Sequence, residues 1–248
     1  MKPKEFMMTV SIALVTGSNK GIGYEIAKQL AQAGTRVLLG ARDAVRGKVA
    51  ADALSNEGLD VSFIQIDVCD EDNIAAAVQF IENAHGRLDI LVNNAGIADD
   101  RDGVPGSTSL DAVRRELETN FIGPLAVIQA MLPLLRQSSA GRIVNISSSL
   151  GSLTLNNDPE WPFYNVKLIG YNASKAALNM LTIQLNAELK DTAITAVSVC
   201  PGLVNTDLSG HQGDRYPSQA AAFPVRIALQ TASDNLTVFQ NEAGVLPL

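Results

Sequence analysis

Cysteine is nearly missing from this chain of 248 residues, which has two, Cys69 and Cys200. So distant a pair offers neither a disulfide framework nor metal-ligand spacing, so both read as small core residues and a reducing cytoplasm is the expected compartment. Histidine is as scarce: His85 and His211 each stand without a second His or a Cys nearby, which makes them surface or loop residues and argues against zinc. Basic charge is not in excess. The formal net charge is −7 and the pI near 4.8, a balance that works against nucleic acid as a partner. No apolar run approaches the ~20 residues of a membrane-spanning helix. The stretch Met1 to Val10 carries Lys2 and Lys4, but the apolar run after it is short and enters a glycine turn, as a first strand does and a signal peptide does not. No Gly/Ser- or Pro-rich linker and no internal repeat divides the chain, so one domain is expected. With 46% hydrophobic against 18% charged residues, that domain has the balance of a packed globule.

Short β-branched runs alternate with helical stretches, the pattern of a parallel sheet covered by helices. Strands are expected at Ile12 to Val15, Val37 to Leu39, Val61 to Ile66, Ile90 to Val92, Ile143 to Ile146, Thr195 to Val199 and Thr237 to Phe239. Their mostly continuous apolar character implies burial on both faces. The expected fold is therefore α/β, a single Rossmann-like domain with a doubly wound, mostly parallel, seven-stranded sheet and helices on both faces. Ile22 to Ala33 carries Ile22, Ile26 and Leu30 at helical spacing and stops at Gly34. Asp70 to Ala84, Leu110 to Leu135 and Tyr171 to Glu188 read as further helices. Three irregular stretches, Ala98 to Ser107, Leu153 to Lys167 and Asn205 to Ser218, follow strands at the edge where open α/β sheets bind ligands.

The first strand leads through Thr16, Gly17, Ser18, Asn19, Lys20, Gly21, Ile22 and Gly23 directly into a helix. Glycines there let the backbone turn tightly and approach a pyrophosphate, and the helix N-terminus presents the positive end of its dipole. The second strand ends Leu39-Gly40-Ala41-Arg42, with no carboxylate at the tip to accept a ribose 2′-hydroxyl. Arg42 can instead pair with a 2′-phosphate, with Lys20 as a second cation, so NADPH/NADP+ is expected over NADH.

Tyr171 and Lys175, four apart on a helix, leave the same face. An ammonium beside a phenol favours the phenolate, so the tyrosine pKa of ~10 is expected to fall and proton exchange with a substrate oxygen to become feasible. The fifth strand runs into Ser147-Ser148-Ser149, and the fourth into Asn93-Asn94-Ala95-Gly96 beside the cofactor groove. Pro124 has no N–H for the Asn120 carbonyl, which therefore needs another partner, an ordered water or an ordinary proline kink being the two readings.

Thr16-Gly17 with Gly21 and Gly23, Asn93-Asn94-Ala95-Gly96, Asn120, Ser148, Tyr171 with Lys175, and Pro201-Gly202 with Thr206 resemble the short-chain dehydrogenase/reductase family over nearly the whole chain. Asn19-Lys20-Gly21 with Ala41-Arg42-Asp43 resembles its NADPH carbonyl-reductase branch. The resemblance implies an oxidoreductase that reduces a ketone or aldehyde to an alcohol, reversibly, with Tyr171 as general acid/base and Lys175 lowering its pKa while holding the nicotinamide ribose. It also implies that Ser148, chosen by the glycine three residues on, Gly151, orients the substrate oxygen and that Asn120 holds a water linking Lys175 to solvent. Asp67, with Val68 beside it, corresponds to the adenine contact, and Thr206 to the carboxamide contact, in a segment containing Pro201, Gly202 and Val204. An NAD-linked alcohol or steroid-type dehydrogenase and an NADPH-sensing regulator are the alternatives, the second weakened by the intact Tyr171 and Lys175.

Twenty-three positions separate Ser148 from Tyr171, longer than the family's usual spacing, so Leu153 to Lys167 holds an insertion. Its Trp161, Pro162 and Phe163 can wall a substrate pocket, cover helices, or form a surface excursion. Leu117 to Leu135 and Ala176 to Leu185 are apolar almost all round, which points to a homodimer or homotetramer, with a monomer credible if the insertion covers them.

Overall fold

The computed structural model describes residues 10–230 and 237–248; the reading of Met1 to Val10 as a lead-in to a strand falls almost wholly outside them. The core is an eight-stranded sheet in the order β3-β2-β1-β4-β5-β6-β7-β8. Its strands are β1 (Ile12–Val15), β2 (Arg36–Ala41), β3 (Val61–Gln65), β4 (Ile90–Asn93), β5 (Arg142–Ile146), β6 (Thr195–Val199), β7 (Phe239–Asn241) and β8 (Gly244–Val245). All pairs are parallel except β7 with β8. The sheet thus has one strand more than the expected seven, because Gly244, at φ 137°, lets the chain turn back on β7 in a short hairpin that carries no apolar run. The seventh strand also starts later than expected, at Phe239 and not Thr237.

Alternate residues of each strand feed opposite faces. Ile12 and Leu14 of β1 join a cluster covered by α3 (Glu71–His85), α5 (Gly123–Leu135) and α7 (Ile169–Glu188). Ala13 and Val15 join the other, under α1 (Gly21–Gln32), α2 (Ala44–Asn56) and α8 (Pro217–Leu229). A doubly wound sheet follows, and the order reverses between β1 and β4, so the carboxyl ends of these two strands open a crevice.

The expected single helix over Leu110 to Leu135 is in fact α4 (Leu110–Leu117), a π turn over Glu118–Ile122, and α5. Pro124 interrupts the ladder, and the Gly123 N–H donates to the Glu118 carbonyl five residues back. By length and composition alone this stretch is apolar enough to cross a membrane, yet Val127, Ile128, Met131, Leu134 and Leu135 are buried in the sheet's core. Two helices carry no clear sequence signal. In α2 the buried face is Gly47, Ala50, Ala51 and Leu54 while Val45 and Val49 point outward, and α8 contains Pro224. The expected irregular stretch Asn205 to Ser218 accordingly ends at the start of α8, and α6 (Leu153–Asn156) lies inside the insertion.

A buried polar chain fixes α7 to the sheet. The Asn93 amide donates to Asn145 at 2.8 Å, the Asn145 amide to the Thr182 hydroxyl at 2.9 Å, and Thr182 meets Ser198 at 2.8 Å. Such a chain sets the register of the helix that carries Tyr171 and Lys175.

Candidate active site

A cavity of about 780 Å³ opens at the carboxyl ends of β1, β4, β5 and β6. Its floor begins at the turn between β1 and α1. Gly17 and Gly21 take φ of 62° and 61°, which glycine alone adopts without strain. A Cβ on Gly17 would lie 2.8 Å from Ala95 Cα, and one on Gly23 2.3 Å from the Asn94 amide nitrogen. The turn is tied to β4 by Asn94, whose amide donates to the carbonyls of Thr16 at 2.9 Å and Gly17 at 3.1 Å. Asp43, Asp70 and Ser109 cap α2, α3 and α4 with their side chains, but Lys20 gives α1 no such cap. The leading N–H groups of α1 therefore face the cavity, the arrangement that accepts a phosphate. Bare backbone at Gly17 and Gly23 and an uncapped helix fit a dinucleotide.

Of the residues expected to hold that dinucleotide, Gly17, Asn19, Lys20, Gly21, Ile22, Gly23, Arg42, Asp67, Val68, Asn94, Ala95, Gly96, Tyr171, Lys175, Pro201, Gly202, Val204 and Thr206 all line the cavity. Ser18 does not. Its hydroxyl is fully buried and donates to the Val15 carbonyl at 2.7 Å, so it shapes the turn from behind. Arg42 stands exposed at the rim, and among the described residues no ion pair or side-chain hydrogen bond holds its guanidinium. Lys20 differs from expectation: its ammonium is taken by Asp207, from the segment after β6, and His211 contacts the same carboxylate at 3.1 Å. The Lys20 contact holds the Asp207 carboxyl below its ordinary range.

Tyr171 and Lys175 stand on one face of α7, 9% and 5% exposed, at the inner wall. The Lys175 ammonium donates to the Ile146 carbonyl at 2.9 Å and lies 5.6 Å from the centre of the Tyr171 ring. Burial lowers its pKa to about 8. The expected fall in the tyrosine pKa is not found. Burial pushes the phenol well above its ordinary value, against a smaller downward pull from the Ser148 hydroxyl, so it is held neutral. Desolvation is the largest effect on both groups because they share the same dry wall.

The three serines after β5 all reach the cavity lining but differ in what their hydroxyls meet. Ser147 spends its hydroxyl on Asn179 at 2.7 Å, inside the core, whereas Ser148 is half-buried beside the phenol. Gly151 lets this turn pack on α7, since a Cβ there would sit 2.7 Å from the Lys175 carbonyl carbon. Asn120, in the π turn, does not line the cavity. It lies behind Gly96, accepting the Ile97 N–H at 2.8 Å and donating to the Ser174 hydroxyl at 3.0 Å.

Sequence reasoning missed part of the wall. Cys69, read as a core residue, is exposed at the cavity rim, and Cys200, buried, lines its base. The insertion walls the pocket through Phe163, with Val166 and Leu168 beyond it, and Trp161 braces Phe163 edge to face with ring centres 5.5 Å apart. Of the stretch Ala98 to Ser107, expected to shape the pocket, only Ala98 reaches it.

The pattern of the short chain dehydrogenase family matches residues 11–217. Short-chain dehydrogenase/reductase 1 of Saponaria officinalis is 32% identical, over 98% of this chain and 97% of that protein. The NADPH carbonyl reductase 1 of Mus musculus is also 32% identical, over 88% and 90%. Among solved structures, the NADPH-bound carbonyl reductase from chicken fatty liver superposes with a TM-score of 0.82 at 27% identity, covering 96% of this chain and 99% of that one.

Proposed function

The chain belongs to the short-chain dehydrogenase family, and from that premise we propose that it is an NADP(H)-dependent carbonyl reductase, converting a ketone or aldehyde to an alcohol with Tyr171 as proton donor. The observation that carries this reading is the burial of Tyr171 and Lys175 together at the wall of a cavity that also holds Ser148 and the glycine turn.

Bound nicotinamide supplies or accepts the hydride. The uncapped start of α1 and the backbone of Gly17 to Gly23 hold the pyrophosphate, Asp67 and Val68 flank the adenine, and Arg42 pairs with the 2′-phosphate. Thr206, across the crevice from Gly21, meets the carboxamide end. Ser148 donates to the substrate oxygen and orients it. Tyr171, held neutral by burial, delivers its hydroxyl proton as negative charge builds on that oxygen. Lys175 holds the ribose and steadies the phenolate left behind, and Asn120, through the Ile97 backbone and Ser174, fixes the floor under Gly96 and Lys175.

Phe163, Val166 and Leu168 favour a substrate with a hydrophobic body. Ile122, Ile169 and Met180 lie exposed on the π turn and α7, and we propose that a second copy covers them in a homodimer or homotetramer, which light scattering tests. The functional test is NADPH and NADH oxidation against a panel of apolar ketones and aldehydes. Turnover with NADPH is expected; binding without turnover of any carbonyl, or turnover with NADH alone, contradicts the proposal.

A further inference from the structure

The helix that carries Tyr171 in its first turn has no cap of its own, for Leu168 stands at the cap position and offers no side-chain acceptor. Its leading N–H groups are met from elsewhere in the chain. Asp102, between β4 and α4, accepts the Gly170 N–H at 3.1 Å and the Tyr171 N–H at 3.0 Å. The Gly103 N–H at 2.7 Å and the Thr108 hydroxyl at 2.9 Å hold the same carboxylate from its own loop. Behind it lies Glu116 of α4, with no accessible surface. Glu116 Oε1 accepts the Asp99 N–H at 2.9 Å, while Oε2 presses on Gly170, where a Cβ would stand 2.2 Å away.

Among the described residues no N–H or hydroxyl donor reaches Glu116 Oε2, and the side chain it meets is the Asp102 carboxyl. Two carboxyl groups hydrogen-bond only when one carries a proton. Burial raises the Asp102 pKa, but its four donors outweigh that and hold it below the ordinary range, so the proton resides on Glu116. This accounts for the loop that was expected to shape the pocket: beyond Ala98 it serves the helix behind the pocket.

We propose that Asp102 and Glu116 are positioning residues, a proton-sharing carboxyl pair that caps α7 from outside and holds Tyr171 at the cavity wall. The inference rests on Tyr171 being the proton donor. Burial first, and then the nearby Asp102 and Asp99 charges, raise the Glu116 pKa to about 7. The groups that face it are Asp99 and Asp102 from the loop and Tyr171 from α7; Arg101 and Arg115 neutralise Asp99, and Glu118 of the π turn is exposed beside Cys69. As pH rises through about 7, Glu116 loses its proton to solvent, two carboxylates oppose each other, and the cap loosens.

The test combines kcat and KM from pH 5.5 to 8.5, with NADPH and a reducible ketone, and amide exchange at Gly170 and Tyr171 in the chain without cofactor. Wild type, D102A, E116Q and Y171F are compared. In wild type kcat falls with a midpoint near pH 7 while NADPH affinity holds. E116Q, whose amide donates to Asp102 and does not ionise, loses that limb, and D102A lowers kcat by about ten- to a hundredfold and speeds exchange of both amides. A wild-type limb retained in E116Q, or unchanged exchange in D102A, overturns the proposal; if D102A does not fold, E116Q decides it. Exchange is read without turnover, so an active Y171F would refute the proton donor and leave the cap to be judged on its own.

Discussion

Alanine at Gly17 separates a glycine needed for its backbone angle from one needed for closeness. At φ 62° any side chain brings the left-handed penalty of about 1–2 kcal/mol. The added Cβ also meets Ala95 Cα at 2.8 Å. Ala95 cannot retreat easily, because the Thr16 hydroxyl oxygen accepts the N–H groups of Asn94 at 3.0 Å and Ala95 at 3.1 Å. Overpacking of that kind adds about 1–3 kcal/mol, so G17A should lose about 2–5 kcal/mol of stability. Gly58 is the control: its φ is 84°, but no atom lies within 4 Å of its added Cβ, so G58A should show the angular penalty alone. Urea denaturation of both variants measures the difference, and fluorescence titration with NADPH measures its consequence at the site. G17A should be less stable than G58A by at least about 1 kcal/mol and bind NADPH about tenfold or more weakly, while G58A binds as wild type. Equal losses of stability in the two variants, or wild-type NADPH affinity in G17A, would refute the reasoning.

Arg42→Asp removes the cation proposed for the 2′-phosphate; a charge-assisted pair contributes about 1.5–3 kcal/mol, so the ratio of kcat/KM for NADPH over NADH should fall by about ten- to 150-fold. S148A should lose most turnover at unchanged NADPH affinity, whereas S147A, which breaks the bond to Asn179, should chiefly lower stability, by about 1–3 kcal/mol on denaturation. The Glu116 pKa is raised on folding, from the ordinary 4.5 to about 7, so the folded state binds the extra proton and this group's contribution is whole below 4.5 and lost as pH rises through 7. The stability of E116Q should therefore be flatter between those two pH values than that of wild type, as urea midpoints at each pH will show.

The sheet was legible because its strands are buried on both faces: Ile12 to Val15 or Ile143 to Ile146 have no polar alternation to confuse with a helix. The glycine turn between β1 and α1 was legible because its glycines stand between a strand and a helix. What escaped had no periodic signal. The buried face of α2 is made of Gly47 and alanines, with Gly47 pressed so close to Phe63 that a Cβ would lie 2.2 Å from its ring, and Pro224 masks α8. Ser18 looked like a cofactor contact by position, but a hydroxyl beside two carbonyls bonds them in preference to facing out. The Lys20 pairing with Asp207 and the cap made by Asp102 on α7 join residues 187 and 69 positions apart, and no local pattern announces contacts that only the closed fold creates. The sign of the Tyr171 shift was misjudged because helical spacing gives the neighbour and not the burial, and here burial decides.

The central claim is that the Tyr171 hydroxyl gives its proton to the substrate oxygen, and Tyr171→Phe removes that hydroxyl while leaving the ring to fill the same wall. The decisive measurement is NADPH binding and single-turnover ketone reduction in that variant beside wild type. Wild-type NADPH affinity with reduction slowed by about a hundredfold or more is the predicted result; reduction within a fewfold of wild type would contradict the account.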